Sequence, residues 1–177
     1  MTSPKKDPVI AVQIREDFQG LNLPLPRLRK LVRTICRRFR EPGGFEACQI
    51  SIAIVDDAEI TRLNARFLGR NAVTDCLSFD LSDARTQDAD AASSRTLELI
   101  VNGELAIRQA ALRGHSAEAE LALYVTHGLL HQLGFDDCTP RKARKMHSAE
   151  DAILQELGYG LVYNSGRGQA RGPAPTV

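Results

Sequence analysis

Two histidines four residues apart, His127 and His131, stand inside an apolar run from Leu121 to Leu133. In a helix, residues at i and i+4 lie one above the other, so both imidazoles can reach one metal ion. Gly134 follows where such a helix would stop, because glycine readily takes the left-handed conformation of a helix C-cap. The chain can then turn back and bring Asp136 or Asp137 towards the two rings. Two His and one carboxylate leave a coordination position open, as in catalytic rather than closed structural sites. Zinc, one ion per chain, suits this donor set, and the hard carboxylate loosens the selectivity that three imidazoles would have.

The plain alternative is a pair of ordinary histidines in a core helix. The glycine stop and the carboxylate beyond it separate this segment from a bare H-x-x-x-H. Val125, Leu129, Leu130 and Leu133 surround the imidazoles, and a neutral imidazole needs a polar partner there. In H-E-x-x-H peptidases the residue after the first His is the general base. Here that residue is Gly128, so peptidase chemistry lacks its base. Asp136 is expected to cap a turn or hold the second nitrogen of a ligand histidine. Cys138 and His147 are weaker alternatives as ligands, and His115 is expected to serve the turn before the metal helix.

Periodicity supplies the elements that must position these groups. Residues 26–40 read as a helix with Leu28, Leu31, Val32, Ile35, Cys36 and Phe39 on one face. Its other face carries Arg27, Arg29, Lys30, Arg33, Arg37, Arg38 and Arg40, with no acid among them. Strands are expected over 9–14, 48–55, 76–81 and 97–101. Further helices are expected over 57–67, 103–113, 117–133 and 140–156. Ser116 is a good N-cap for the metal helix, with Glu118 and Glu120 in its first turn, and Pro140 suits a first helical position. The polar stretch 82–94 reads as a mobile surface loop. Residues 1–163 form one domain in this reading, and 164–177, with little apolar content to bury, form a disordered tail.

A chain of 177 residues supports one compact core, and its 43% apolar and 25% charged residues are globular usage. The net charge of +1 gives no global signal for nucleic acid, so any such signal is local. Two local patches exist: the arginine face of the first helix, and Arg141-Lys142-Ala143-Arg144-Lys145 after the metal loop. Aromatic platforms for single-stranded RNA are scarce, with no Trp and three Tyr. Cys36, Cys48, Cys76 and Cys138 are widely spaced and read as free thiols. No run is long enough for a membrane span and the start lacks a signal-peptide pattern, so a cytoplasmic protein is expected.

The run 127–137 resembles H-G-x-L-H-L-x-G-Y-D-H of the YbeY family of bacterial rRNA-maturation endoribonucleases. Leu63-Asn64, Phe67, Gly69, Thr74-Asp75 and Leu77-Ser78-Phe79 are similar to that family's L-N-x-x-F-R-G-x-x-x-P-T-D-V-L-S-F. Gly114-His115-Ser116, Glu120 and Leu157-Gly158-Tyr159 extend the likeness, which spans roughly residues 50–159. The resemblance implies a single α+β domain: a mixed four-stranded sheet packed with helices, the metal site on a central helix and the loop after it. It implies a metal-dependent, single-strand-specific endoribonuclease in rRNA processing and ribosome maturation, with RNA and the ribosomal subunit as partners.

Two departures bear on the site. Asp137 stands where the family has its third ligand histidine, which implies the set His127, His131 and Asp137. Leu68 stands where the family has an arginine near the scissile phosphate, which leaves that role to Arg70 or, less readily, Arg66. Leu97 also replaces a family glycine, before Glu98. The loss at position 68 favours a second reading, a ribosome-associated assembly factor whose metal is structural. A metallopeptidase is the third.

Overall fold

The computed structural model describes residues 7–40, 44–82 and 94–163. In chain order the elements are β1 (Val9–Glu16), α1 (Leu25–Phe39), β2 (Ala47–Val55), α2 (Asp57–Leu68), β3 (Cys76–Asp80), β4 (Ser94–Asn102), α3 (Gly103–Arg113), α4 (Ala117–Gln132) and α5 (Pro140–Glu156). One sheet holds all four strands in the order β1-β2-β4-β3. The pairs β1–β2 and β2–β4 are parallel, and β3 runs antiparallel on β4 at the edge. This is the single α+β domain with a mixed four-stranded sheet that the sequence led us to expect.

The two-residue strand period divides the sheet into two apolar faces. Ile50, Ile52, Ile54, Leu97, Leu99 and Val101 join the main core with α1 and α4. Ala53, Val55, Leu77 and Ile100 point the other way and meet Ile60 and Leu63 of α2, with Leu68 and Phe79 packed at the margin. The metal helix and α2 therefore lie on opposite faces of the sheet.

Helix α4 is apolar almost all round, which marks a helix enclosed by protein. Every residue from Ala119 to Leu130 is buried. It begins at Ser116, whose hydroxyl accepts the Ala119 N–H at 3.1 Å. It ends in a Schellman turn. Gly134 has φ +91°, its N–H bonds the His131 carbonyl at 3.1 Å, and the Phe135 N–H bonds the Leu130 carbonyl at 2.9 Å. Helix α5 starts on Thr139, whose hydroxyl accepts from the Lys142 N–H.

Boundaries differ from the periodicity in one instructive place. β4 begins at Ser94 rather than 97, because Ser94, Arg95 and Thr96 continue the ladder beside Ala47, Cys48 and Gln49. Polarity had placed Ser94 in the preceding loop and left Arg95 and Thr96 outside the strand. Arg95 is held there by the Gln132 carbonyl and the Asp80 carboxylate. The rest of the expected loop, 83–93, and the expected tail, 164–177, lie outside the described residues. Among the described residues no helix is long and apolar enough to cross a membrane.

The basic face of α1 is largely used up by the fold. Arg27 pairs with Glu118 and lies over the Tyr159 ring. Arg33 reaches the Ile10 carbonyl, Arg38 pairs with Glu156, and Arg40 reaches the Phe45 carbonyl. Four of its seven cations are thus fold contacts, which weakens this face as a surface for polyanions.

Candidate metal centre

The turn at Gly134 builds the site. It carries the Phe135 carbonyl to within 3.2 Å of His131 Nδ1 and swings Asp137 beside the two rings. His127, His131 and Asp137 each offer a donor atom, and these atoms lie within 4.8 Å of one another. The two Nε2 atoms are 3.1 Å apart, and Asp137 Oδ1 is 3.8 Å from His131 Nε2.

Proton positions follow from the partners of the other nitrogens. His127 Nδ1 faces the Glu150 carboxylate at 2.7 Å, and His131 Nδ1 faces a carbonyl. Both partners can only accept, so both Nδ1 atoms donate. Each Nε2 therefore turns a lone pair towards the other, with a carboxylate alongside. Such an arrangement is repulsive unless a cation or proton lies between them. Tetrahedral zinc with bonds of about 2.0–2.1 Å separates neighbouring donors by roughly 3.4 Å, so the observed spacings fit it. Burial first, then the neighbouring His127 ring, which disfavours a second positive charge at the site, holds the His131 ring below its ordinary value of 6.5. Its Nε2 is therefore unprotonated at neutral pH.

Glu150 was not foreseen. It is fully buried in α5, and its second oxygen accepts from His147 Nδ1 at 2.9 Å. The His147 ring stacks on Tyr163, with centroids 3.6 Å apart. Burial pushes the Glu150 carboxyl up, but the hydrogen bonds from His127 and His147 outweigh this and hold it below the ordinary glutamate value. An ionised carboxylate inside a core needs such partners. The signal in the sequence was partial: Glu150 shares an apolar stripe of α5 with Met146, Ile153 and Leu154, but its neighbour Asp151 is buried too, so position alone did not single it out.

Other expected residues fall outside the ligand set. Asp136 caps the turn, accepting the Cys138 N–H at 2.9 Å and pairing with Lys142 at 2.7 Å. Hydrogen bonding with Cys138 and then Lys142 holds its carboxyl well below the usual range. Cys138 is exposed beside the two aspartates. His115 Nε2 lies 3.0 Å from Glu120, at the turn before α4 as expected. Arg66 lies against the Phe67 ring. Arg70 is exposed on the turn after α2, and its guanidinium has no ion-pair partner among the described residues. Leu68 is half-buried against the apolar cluster beneath α2.

Gly128 explains itself in packing. A Cβ there would meet Cys76 Sγ at 3.0 Å and Leu99 Cδ2 at 3.2 Å, so α4 sits directly on β3 and β4 at this point. A peptidase-type glutamate has no room. Gly128→Ala is expected to cost about 1–3 kcal/mol by overpacking. Gly128→Glu is expected to cost more, and thermal unfolding of the two variants checks the order.

The fold is that of a single-domain α+β protein, and His127, His131 and Asp137 form a group whose donor atoms could hold one metal ion. The family model described as Endoribonuclease YbeY matches residues 13–158. The endoribonuclease YbeY of Moorella thermoacetica is 39% identical over 137 residues, covering 73% of this chain and 88% of its own. That of Roseiflexus castenholzii is 38% identical over 128 residues, covering 71% and 80%. The solution structure of TM1509 from Thermotoga maritima superposes with a TM-score of 0.53 at 21% identity, covering 82% of this chain and 90% of that one, a likeness of fold alone. The chain belongs to the endoribonuclease YbeY family.

Proposed function

We propose that this chain is a metal-dependent endoribonuclease that cuts single-stranded RNA in rRNA processing and ribosome maturation. The observation that carries the reading is the pair of inward-facing Nε2 lone pairs beside Asp137, held by Glu150 and the Phe135 carbonyl. Bound there, zinc supplies a water whose pKa falls towards about 7 and a charge to set against a phosphoryl oxygen. The residues of the chain do the rest. Glu150 and the Phe135 carbonyl fix the two rings, and Asp137 supplies the third donor. Gly128 keeps α4 tight on the sheet, and the cations at the start of α5 attract the backbone of the substrate. Cleavage of a fluorescent single strand, but not of the same strand in a duplex, tests the substrate class.

The cationic contribution is expected to be local. Arg141, Arg144 and Lys145 are exposed at the start of α5, whereas Lys142 is tied to Asp136. Reversing the charge of Arg141, Arg144 and Lys145 is expected to weaken RNA binding and to flatten its salt dependence by about two to three units of slope. A salt titration of binding checks this.

Arg70 takes the phosphate contact that the family assigns to position 68, in this reading. Its long side chain ends in a planar fork that pairs with phosphate. Arg70→Ala is expected to reduce cleavage by ~10²–10³-fold while metal content and melting temperature stay at the parent level. Parent-like cleavage by Arg70→Ala, together with a sharp gain in Leu68→Arg, would instead mean that the contact has been lost. The apolar packing of Leu68 favours that second reading, a ribosome-associated assembly factor with a largely structural metal site.

A further inference from the structure

We infer that the cleft between the end of α1 and the start of α5 is a nucleotide subsite, taking a base of single-stranded RNA against Phe39 and Phe135 and its phosphate on Arg141 and Lys145. The inference rests on the ribonuclease reading and deepens it. The cleft has a volume of about 450 Å³, within the range of small-molecule sites. Phe39 and Phe135 line it, both half-buried, with ring centroids 5.3 Å apart and planes at 85°. Each ring therefore keeps part of its surface for a planar partner.

Charge selects the ligand class. Arg141, Lys142 and Lys145 line the cleft against one carboxylate, Asp136, and that carboxylate is matched by Lys142. The Arg141 guanidinium has no ion-pair partner among the described residues. The Lys145 ammonium lies 5.4 Å from the Phe135 ring centroid, where it can move from ring to phosphate. Aromatic walls with surplus cations suit a ligand that is both flat and anionic. Base stacking combined with phosphate pairing is how single-stranded nucleic acid is held without sequence preference. An acidic peptide would satisfy the cations but leave the rings unused.

Position ties the cleft to the chemistry. The Phe135 carbonyl accepts from ligand His131, and Asp136 immediately precedes ligand Asp137. Residues 134–136 thus line the cleft, and the next residue, Asp137, belongs to the candidate metal centre. The proposal places the nucleotides next to a phosphate at the centre in this cleft, which the loop after α4 joins to it. The scarcity of tryptophan and tyrosine in the chain had argued against stacking; two phenylalanines, 96 positions apart in sequence, supply the platform.

The test compares a fluorescent single-stranded oligoribonucleotide with a strand of equal length carrying abasic residues. Binding to the full chain is read by anisotropy in the cold, before turnover. We expect the strand with bases to bind about tenfold or more tightly. Phe135→Leu and Phe39→Leu, which keep apolar volume, should each cut that preference severalfold while unfolding at the parental temperature. Arg141→Gln and Lys145→Gln should weaken both strands alike. If both leucine variants are folded and keep the parental preference, or if an acidic peptide displaces the strand as well as RNA does, the subsite is overturned. In that case RNA cleavage by the parent leaves the ribonuclease reading standing. Absence of both binding and cleavage of single-stranded RNA overturns the two together.

Discussion

His131→Ala is expected to strip the metal from the protein and to abolish RNA cleavage, with a loss of at least about 10³-fold. The size follows from the several kcal/mol that a bound metal contributes to a hydrolytic transition state, each 1.4 kcal/mol being a factor of ten. In the proposed centre His131 is one of two nitrogen donors, so its removal leaves His127 and Asp137 alone, too few to hold an ion against water. The side chain is largely buried, but it sits at the rim of the fold beside the turn, and the Phe135 carbonyl that it satisfies can take a water in the space the ring leaves. The fold should therefore survive with a modest loss of stability. Metal analysis on the purified variant, beside its circular dichroism, separates loss of the ion from loss of structure. A folded His131→Ala with a full equivalent of metal would remove this residue from the centre.

Glu150→Gln is expected to weaken metal binding by about 10–100-fold, although Glu150 touches no metal. The ionised carboxylate accepts from His127 and His147 at once. A glutamine offers one acceptor and one donor, so one of the two imidazoles must change tautomer. If His127 changes, its Nε2 acquires a proton and no longer faces the site with a lone pair. The loss of negative charge behind the ring lowers its basicity as well. Glu150→Ala is expected to unfold at a clearly lower temperature, since the buried His127 N–H would lose its acceptor at roughly 1–3 kcal/mol and the half-buried His147 N–H would lose its own at a smaller cost. A zinc-chelator competition on the glutamine variant reads the effect without reference to catalysis. Parental affinity there would show that Glu150 serves the core and not the metal.

The difference between these two residues shows what could be read from the chain. His127, His131 and Asp137 lie within eleven positions, and local geometry alone brings them together: a helical i, i+4 pair, then a glycine that reverses the chain. The sheet was legible for a similar reason, since Ile50, Ile52 and Ile54 alternate with polar or small residues and the apolar stripe of α1 repeats without a break. Glu150 depends instead on how α5 docks beside α4, and no spacing in the sequence specifies that contact. The same holds for Phe39 and Phe135, which come from distant segments. The arginine face of α1 was ambiguous because a solvated face and a set of tertiary ion pairs have the same composition. Arg70 sits exposed on the turn after α2, and its guanidinium has no ion-pair partner among the described residues, so packing does not fix its role.

The most direct measurement is cleavage of a single-stranded RNA by the chelator-stripped protein as zinc is added back. Activity is expected to be absent after stripping and to return to its limit at one equivalent per chain. The His127→Ala/His131→Ala double variant should stay inactive at every zinc concentration. Full cleavage by the stripped protein, or restoration of the double variant by zinc, would contradict a catalytic centre at His127, His131 and Asp137.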